Sequence, residues 1–324
     1  MRRIALAVVA LVAALLLIAF PVWSAAWESS RYATTILRDM LVLAIFALSL
    51  DLLVGSSGLP SLGHAAFFGG GAYAAAIAMQ RLATDDLLVG LVAAVLVAAV
   101  LALVIGIFAV RSAGIFFLML TLAFAQLVFA VAFQWTDVTG GSNGFSGVHR
   151  PTFLGMDFNG AEALYELVAT IFVLVVLFLW RIRSSTYGRA LVGLRENERR
   201  MRALGYNTTR LKLSAFILAG ATAGIGGALS AYALRFVSSN DVSVGRSIEA
   251  FVSVLVGGSG TLLGPAVGAV VVLYIERVLP STLQELTGRQ FAEAILGVVF
   301  IVFVLAVRQG IVGLARLAYV RARR

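Results

Sequence analysis

The sequence predicts an all-α, polytopic helical membrane protein with about ten membrane segments, some of them short or broken. Three observations lead there. Of its 324 residues, 61% are hydrophobic and only 13% charged, where a soluble domain carries roughly 25%. Four runs (Ile4–Trp23, Leu87–Val110, Gly114–Phe133 and Leu164–Trp180) approach or exceed the ~20 apolar residues that cross a bilayer as a helix. None alternates with period two, so barrel strands are excluded, and only helices then satisfy the backbone inside hydrocarbon.

The first run follows Met1-Arg2-Arg3 and ends near Ser24-Ala25-Ala26, which has the look of a secretory signal. Its apolar core is longer than the ~7–15 residues of a signal peptide, so an uncleaved first span over 4–23 is expected. Further spans are expected at 36–55, 60–79, 87–110, 114–134, 162–180, 213–234, 248–257, 262–279 and 291–307. The stretch 248–279 is too long for one straight crossing and too short for two. It contains GGSGTLLGP (257–265), and broken backbone is tolerated in a membrane where protein buries it or it lines a cavity. Two short helices around a break are therefore expected, with Gly257, Gly258 and Gly260 as pathway candidates. The chain reads as a single transmembrane domain, 1–324, with a polar loop at about 181–212 and another at about 135–161.

Ten passes place both termini on one side. That side collects seventeen basic residues, nine of them from Arg181 to Lys212, against Glu196 and Glu198. Basic loops stay cytoplasmic, so both termini and the 181–212 loop are expected in the cytoplasm. The net charge of +9 is thus a topology signal, and no nucleic-acid partner is expected. With no Cys and only His64 and His149, thiolate chemistry is excluded and a metal site is not expected. The acids Asp51, Glu249 and Glu293 adjoin apolar runs. Such acids suggest ion coupling by default, but their place near span ends suits interfacial pairing equally.

Between Arg189 and Leu204 the polar loop reads as one or two short helices. Gly205 suits the left-handed residue that ends a helix, and Asn207-Thr208 can cap the next. Leu194, Met201 and Leu204 fall on one side of the wheel, while Arg195, Glu198, Arg199 and Arg202 form a charged ridge. Each Arg would cost about 2.5–3.5 kcal/mol at the bilayer centre, so the piece lies outside lipid. It is shaped either for a groove on another protein or for an anionic lipid surface. Two Gly-rich stretches, LVGSSGLPSLGHA (53–65) and LVGGSGTLLGPA (255–266), align with one gap. Either they mark an internal repeat of the kind transporters use, or a Gly/Ala/Leu-rich composition matches itself.

The loop together with SAFILAGATAGIGGALSAY (214–232) resembles the coupling region of bacterial ABC-importer permeases, the branched-chain amino-acid type above all. GLPSLGHAAFFGGGAYAAA (58–76), TGGSNGFSGV (139–148) and SIEAFVSVLVGGSGTLLGPAVGA (247–269) resemble the same family, the first in the form of its larger permease subunit. The resemblance implies the ABC-importer permease fold, a heterodimer with a second related permease, two ATP-binding subunits and an extracytoplasmic binding protein. It implies that Arg189, Leu194, Arg195, Glu196, Asn197, Glu198, Met201, Leu204 and Gly205 engage the ATPase. No cofactor is expected in this chain, ATP and Mg belonging to the partners. The chain's residues agree, because its only Lys, Lys212, lies between Leu211 and Leu213, and a P-loop needs Gly-Lys-Ser/Thr.

Two further groups are candidates for the pathway or its mouth. Ser61, Gly63 and His64 belong to the first Gly-rich stretch, where His64 reads as a hydrogen-bonded structural residue or a pathway lining. Thr139, Gly140, Gly141, Ser142, Asn143 and Gly144 lie in the longest outer loop, as a pore-mouth element or a plain tight turn. GGSNG (140–144) formally satisfies a hydrolase elbow, yet no acid separates Ser142 from His149, the one later His. No catalytic residue is expected. The sequence reads best as a permease importing branched-chain or related neutral amino acids. A permease for urea, short amides or another small polar solute, or a stand-alone ion-coupled carrier, are the alternatives.

Overall fold

In a computed structural model, residues 30–278 and Gly310 are described. The expected spans 4–23 and 291–307, Glu293 and both termini fall outside them. The described chain is a bundle of helices: α1 (Ser30–Asp51), α2 (Ala65–Arg81), α3 (Leu87–Ala109), α4 (Ile115–Gln134), the short α5 (Thr136–Thr139), α6 (Ala161–Ser184), α7 (Thr186–Glu196), α8 (Glu198–Ala203), α9 (Thr208–Leu234), α10 (Val244–Gly257) and α11 (Gly264–Leu273). Among the described residues, five helical stretches have the length and apolarity to cross a membrane: Tyr32–Ser57, Leu87–Ala109, Ile115–Gln134, Ala161–Ser184 and Thr208–Leu234.

Most expected spans reappear within a few residues, and the differences have local causes. Residues 52–57 continue α1 as a π-helix that stops at Gly58, whose φ is 70°. Residues 58–64 are irregular, so α2 begins at Ala65 instead of residue 60. α9 starts at Thr208, five residues before the expected 213, because the Asn207 side chain accepts from Arg210 N at 3.0 Å. The break expected inside 248–279 is present between α10 and α11, with Pro265 in the first turn of α11.

Helices apolar on every side choose partners by size. Along α3, Gly90, Ala94, Ala98 and Ala102 are buried at a spacing of four and face α9. A Cβ on Gly220 would lie 2.5 Å from the Ala102 Cβ, and one on Gly224 would lie 2.6 Å from the Ala98 Cβ. A Cβ on Gly71 would lie 2.5 Å from Gly224 Cα, bringing α2 into the same seam. Small residues let backbones approach until dispersion replaces the hydrophobic effect that lipid does not supply. Around this seam the span in α1 is 94% buried, whereas that in α4 is only 22% buried.

At one end of the bundle two small antiparallel ladders tie the 135–160 loop down. β1 (Phe145–Ser146) pairs with β4 (Phe236–Val237) at the exit of α9, and β2 (Thr152–Phe153) pairs with β3 (Met156–Asp157). α7 and α8 lie at the opposite end.

Candidate functional site

Ser185 opens α7 with its hydroxyl accepting from Gly188 N at 3.2 Å. Asn197, at φ −159°, ends that helix and caps α8 by accepting from Arg200 N at 2.9 Å. Gly205 has a φ of 86°, the left-handed conformation expected there. Leu194 and Met201 are buried, but Leu204 is 67% exposed. This corrects the single apolar face expected for the three residues: the break at Asn197 interrupts the helical wheel between them. Arg189, Glu196, Asn197, Arg199, Arg200 and Tyr206 are exposed with Leu204, giving a cationic tip with an apolar point.

The tip is fastened to the bundle by ions. Glu198 accepts from Arg202 Nη2 and Lys212 Nζ, both at 2.7 Å. Burial pushes its carboxyl up, but the bonds from Lys212 and Arg202 outweigh it and hold the group below the usual carboxylate value. Arg195 reaches the other way and donates from Nη1 to the Gly55 carbonyl, inside the π-helix. Gly58 leaves room for it, since a Cβ there would meet Arg195 Cγ at 2.7 Å.

Beside that contact lies Asp51, with no solvent exposure. Its Oδ2 pairs with Arg183 at the end of α6, and its Oδ1 accepts from Gly260 N at 2.8 Å. A Cβ on Gly55 would meet both Asp51 Oδ1 and Gly260 N at 2.2 Å. The two Gly-rich stretches that resemble one another therefore meet at one carboxylate, with α7 against them. Gly258 (φ 107°) and Gly260 (φ 78°) shape the break, and a Cβ on Gly257 would lie 1.8 Å from Gly264 O. Of the three acids noted beside apolar runs, the two among the described residues are paired: Asp51 as above, and Glu249 with Arg246 Nη1 at 2.5 Å.

Ser61, Gly63 and His64 lie in the irregular segment ahead of α2. Ser61 Oγ accepts from Gly63 N at 3.2 Å, and a Cβ on Gly63 would lie 2.4 Å from Thr121 O on α4. His64 is fully buried between Phe46 and Phe67, with Nε2 2.9 Å from Ser49 Oγ and Nδ1 without a described partner. Thr139 through Gly144 are far from all of these, at the end bearing β1 and β4. Thr139 Oγ1 donates to Ala132 O at 2.7 Å, Gly141–Asn143 form one 3₁₀ turn, and Ser142 and Asn143 are exposed. The turn follows a helix and not a strand, and His149 contacts Asp85 at 3.1 Å. A hydrolase elbow is therefore absent at Ser142.

Sequence reasoning left two residues unmarked. Arg183 was legible as the cation that a buried Asp51 requires on its own side of the membrane. Gln126 is exposed near the middle of α4, without a partner among the described residues. Its signal was a lone amide within an apolar run.

The comparisons with known proteins agree with this architecture. Residues 32–305 match the family described as branched-chain amino acid transport system / permease component. The chain is 30% identical over 296 residues to the high-affinity branched-chain amino acid transport system permease protein LivM of Salmonella typhimurium, covering 84% of this chain and 69% of that protein. Identity to the Escherichia coli protein of the same description is 29% over the same shares. The autoinducer 2 import system permease protein LsrC of Salmonella paratyphi B is 28% identical over 168 residues, 49% of this chain and 46% of that protein. No solved structure gives a significant match. An apolar multi-helix bundle matched by one transport family along most of its length leaves a single assignment: the chain belongs to the branched-chain amino acid permease family and is a multi-pass inner-membrane protein.

Proposed function

We propose that the chain is a membrane-spanning permease subunit of an ATP-driven importer for branched-chain or related neutral amino acids, and that the α7–α8 tip is where separate ATP-binding subunits act on it. The observation that carries this reading is the tip's construction. It is anchored inward by Arg195 on Gly55 and by Glu198 on Lys212, while Leu204 and Tyr206 remain exposed among arginines. A lipid-bound surface helix would bury such apolar groups on one continuous face; here they form a point suited to a protein groove. The nine basic residues from Arg181 to Lys212 support a cytoplasmic position for this end, since basic loops stay inside. The opposite end, with the 139–144 turn, then faces the extracytoplasmic binding protein.

Movement of the tip would pull on Gly55 and, through Asp51, on Gly260, so both broken segments shift together. ATP and Mg bind the partner subunits, and the exposed faces of α4 suit a second permease. An ion-coupled carrier working alone fits less well, because Asp51 and Glu249 are already neutralised by arginines. Relatedness to LsrC shows that similar chains belong to import systems of other description, so the solute is the finer part of the proposal. Reconstitution tests it: leucine uptake into proteoliposomes should require the ATP-binding subunits and ATP. Uptake by this chain alone on an ion gradient would contradict it.

A further inference from the structure

At the end opposite α7 and α8, the α2–α3 turn, the 147–159 loop and the end of α9 enclose an open cavity of about 560 Å³. That is the size of a small-molecule site. Its wall carries Arg150 and Arg235 on one part and Asp85 on another, with buried Val148 between polar groups. The two arginines share one neighbour. Arg150 Nη1 donates to the Asn159 carbonyl, and Arg235 Nη2 donates to Asn159 Oδ1 at 3.1 Å. Neither has a carboxylate within ion-pair distance among the described residues.

Two further features mark the pair as built. Arg150 Nε is buried with no described hydrogen-bond partner, and a guanidinium donor shut from water without an acceptor is costly. Arg235 holds a left-handed φ of 54° at the end of α9, a conformation that a non-glycine residue keeps only where its surroundings impose it. Burial, followed by the charges of Arg235 and Arg38, holds Arg150 below the usual guanidinium value, against the opposing pull of Asp157. Two neighbouring guanidinium groups, neither in a salt bridge among the described residues, favour an incoming anion.

Asp85 supplies the opposite sign. Its backbone carbonyl is fixed by Thr152 N at 2.6 Å, and its Oδ1 lies 3.1 Å from His149 Nδ1. Oδ2 has no described partner, and Asp85 lines the same cavity as the two arginines.

We propose that this cavity receives a small α-amino zwitterion. Arg150 and Arg235 take its carboxylate, Asp85 takes its ammonium, and Val148 lies under its side chain. The choice of amino acid rests on the permease reading above, whereas the charge complementarity does not. An acidic side chain of a docking protein offers the same carboxylate. The zwitterion is favoured because the groups line a concavity that also presents an acid, and docking by a carboxylate alone gives Asp85 no part.

The test uses the assembled complex in lipid nanodiscs, without binding protein, titrated with leucine, leucinamide (no carboxylate) and isocaproate (no ammonium). Leucine should bind saturably, and each analogue should bind about tenfold more weakly or worse, because a site that pairs with both ends of its ligand loses a set of contacts when either end is missing. Arg150→Gln and Arg235→Gln should weaken leucine by a similar factor. Arg150→Lys, which keeps the charge, and the thermal transition of each variant separate lost binding from lost folding. Asp85→Asn should weaken leucine but leave isocaproate unchanged. Absence of saturable leucine binding, or variants that impair only docking of the binding protein, would overturn the proposal. Failure of the permease reading looks different: leucine would still bind, but ATP would drive no uptake.

Discussion

Asp51 is fully buried, and the Arg183 guanidinium and the Gly260 amide hold its two oxygens. Removing one member of a buried pair costs about 3–5 kcal/mol, because the other charge is stranded. Asp51→Asn keeps an acceptor for Gly260 but strands Arg183, so uptake should fall about tenfold or more while the chain still inserts. Arg183→Gln in the same chain should restore part of it, since paired residues couple non-additively. Additive losses in uptake and thermal stability would contradict a direct pairing. Glu198 makes a prediction in pH. Its carboxyl is held below the usual 4.5, so its contribution is complete above that value and is lost as pH falls through the lowered one. Hydrogen exchange across 197–207, relative to the intrinsic rate at each pH, should therefore stay level from neutral pH down to the usual carboxylate value and rise only below it. In Glu198→Gln the acid-dependent rise should disappear.

The α7–α8 element separates two roles that its sequence merges. Met201 is buried against Gly193, where a Cβ would lie 2.8 Å from its sulfur, whereas Leu204 is exposed. Met201→Asp should open the helix pair to proteolysis. Leu204→Asp should leave the proteolytic pattern unchanged and still release the ATP-binding subunits on co-purification; retention of those subunits by the Leu204→Asp chain would count against the tip as their seat. How much was legible differs between elements. Spans such as 87–110 and 114–134 were readable almost to the residue, because length and apolarity alone decide them. The caps at Gly205 and Asn207 were readable because few residue types satisfy them. The split face at Asn197 was not, since a wheel assumes an unbroken helix. Nor was the start of α2, because a π-helix followed by irregular backbone carries no periodicity. The cavity at Arg150 and Arg235 was invisible for another reason: its two arginines lie 85 positions apart, and β1–β4 pairing and the shared Asn159 bring their segments together.

Across the molecule, one end is polar, ionic and broken in backbone, the middle is a seam of small residues, and the other end carries the loops and the cavity. The seam implies that α2, α3 and α9 move as one body. Gly224→Leu, which would drive a side chain into Ala98, should therefore destabilise the bundle and lower yield instead of altering coupling selectively. The chain lacks cysteine, so a single introduced thiol reports without background. The most direct measurement is cross-linking from Leu204→Cys in the assembled complex, with the same thiol labelled in intact cells by an impermeant reagent. The account expects a cross-link to the ATP-binding subunit whose yield changes when ATP is added, and no labelling from outside. Labelling by the impermeant reagent, with no cross-link to that subunit, would contradict it.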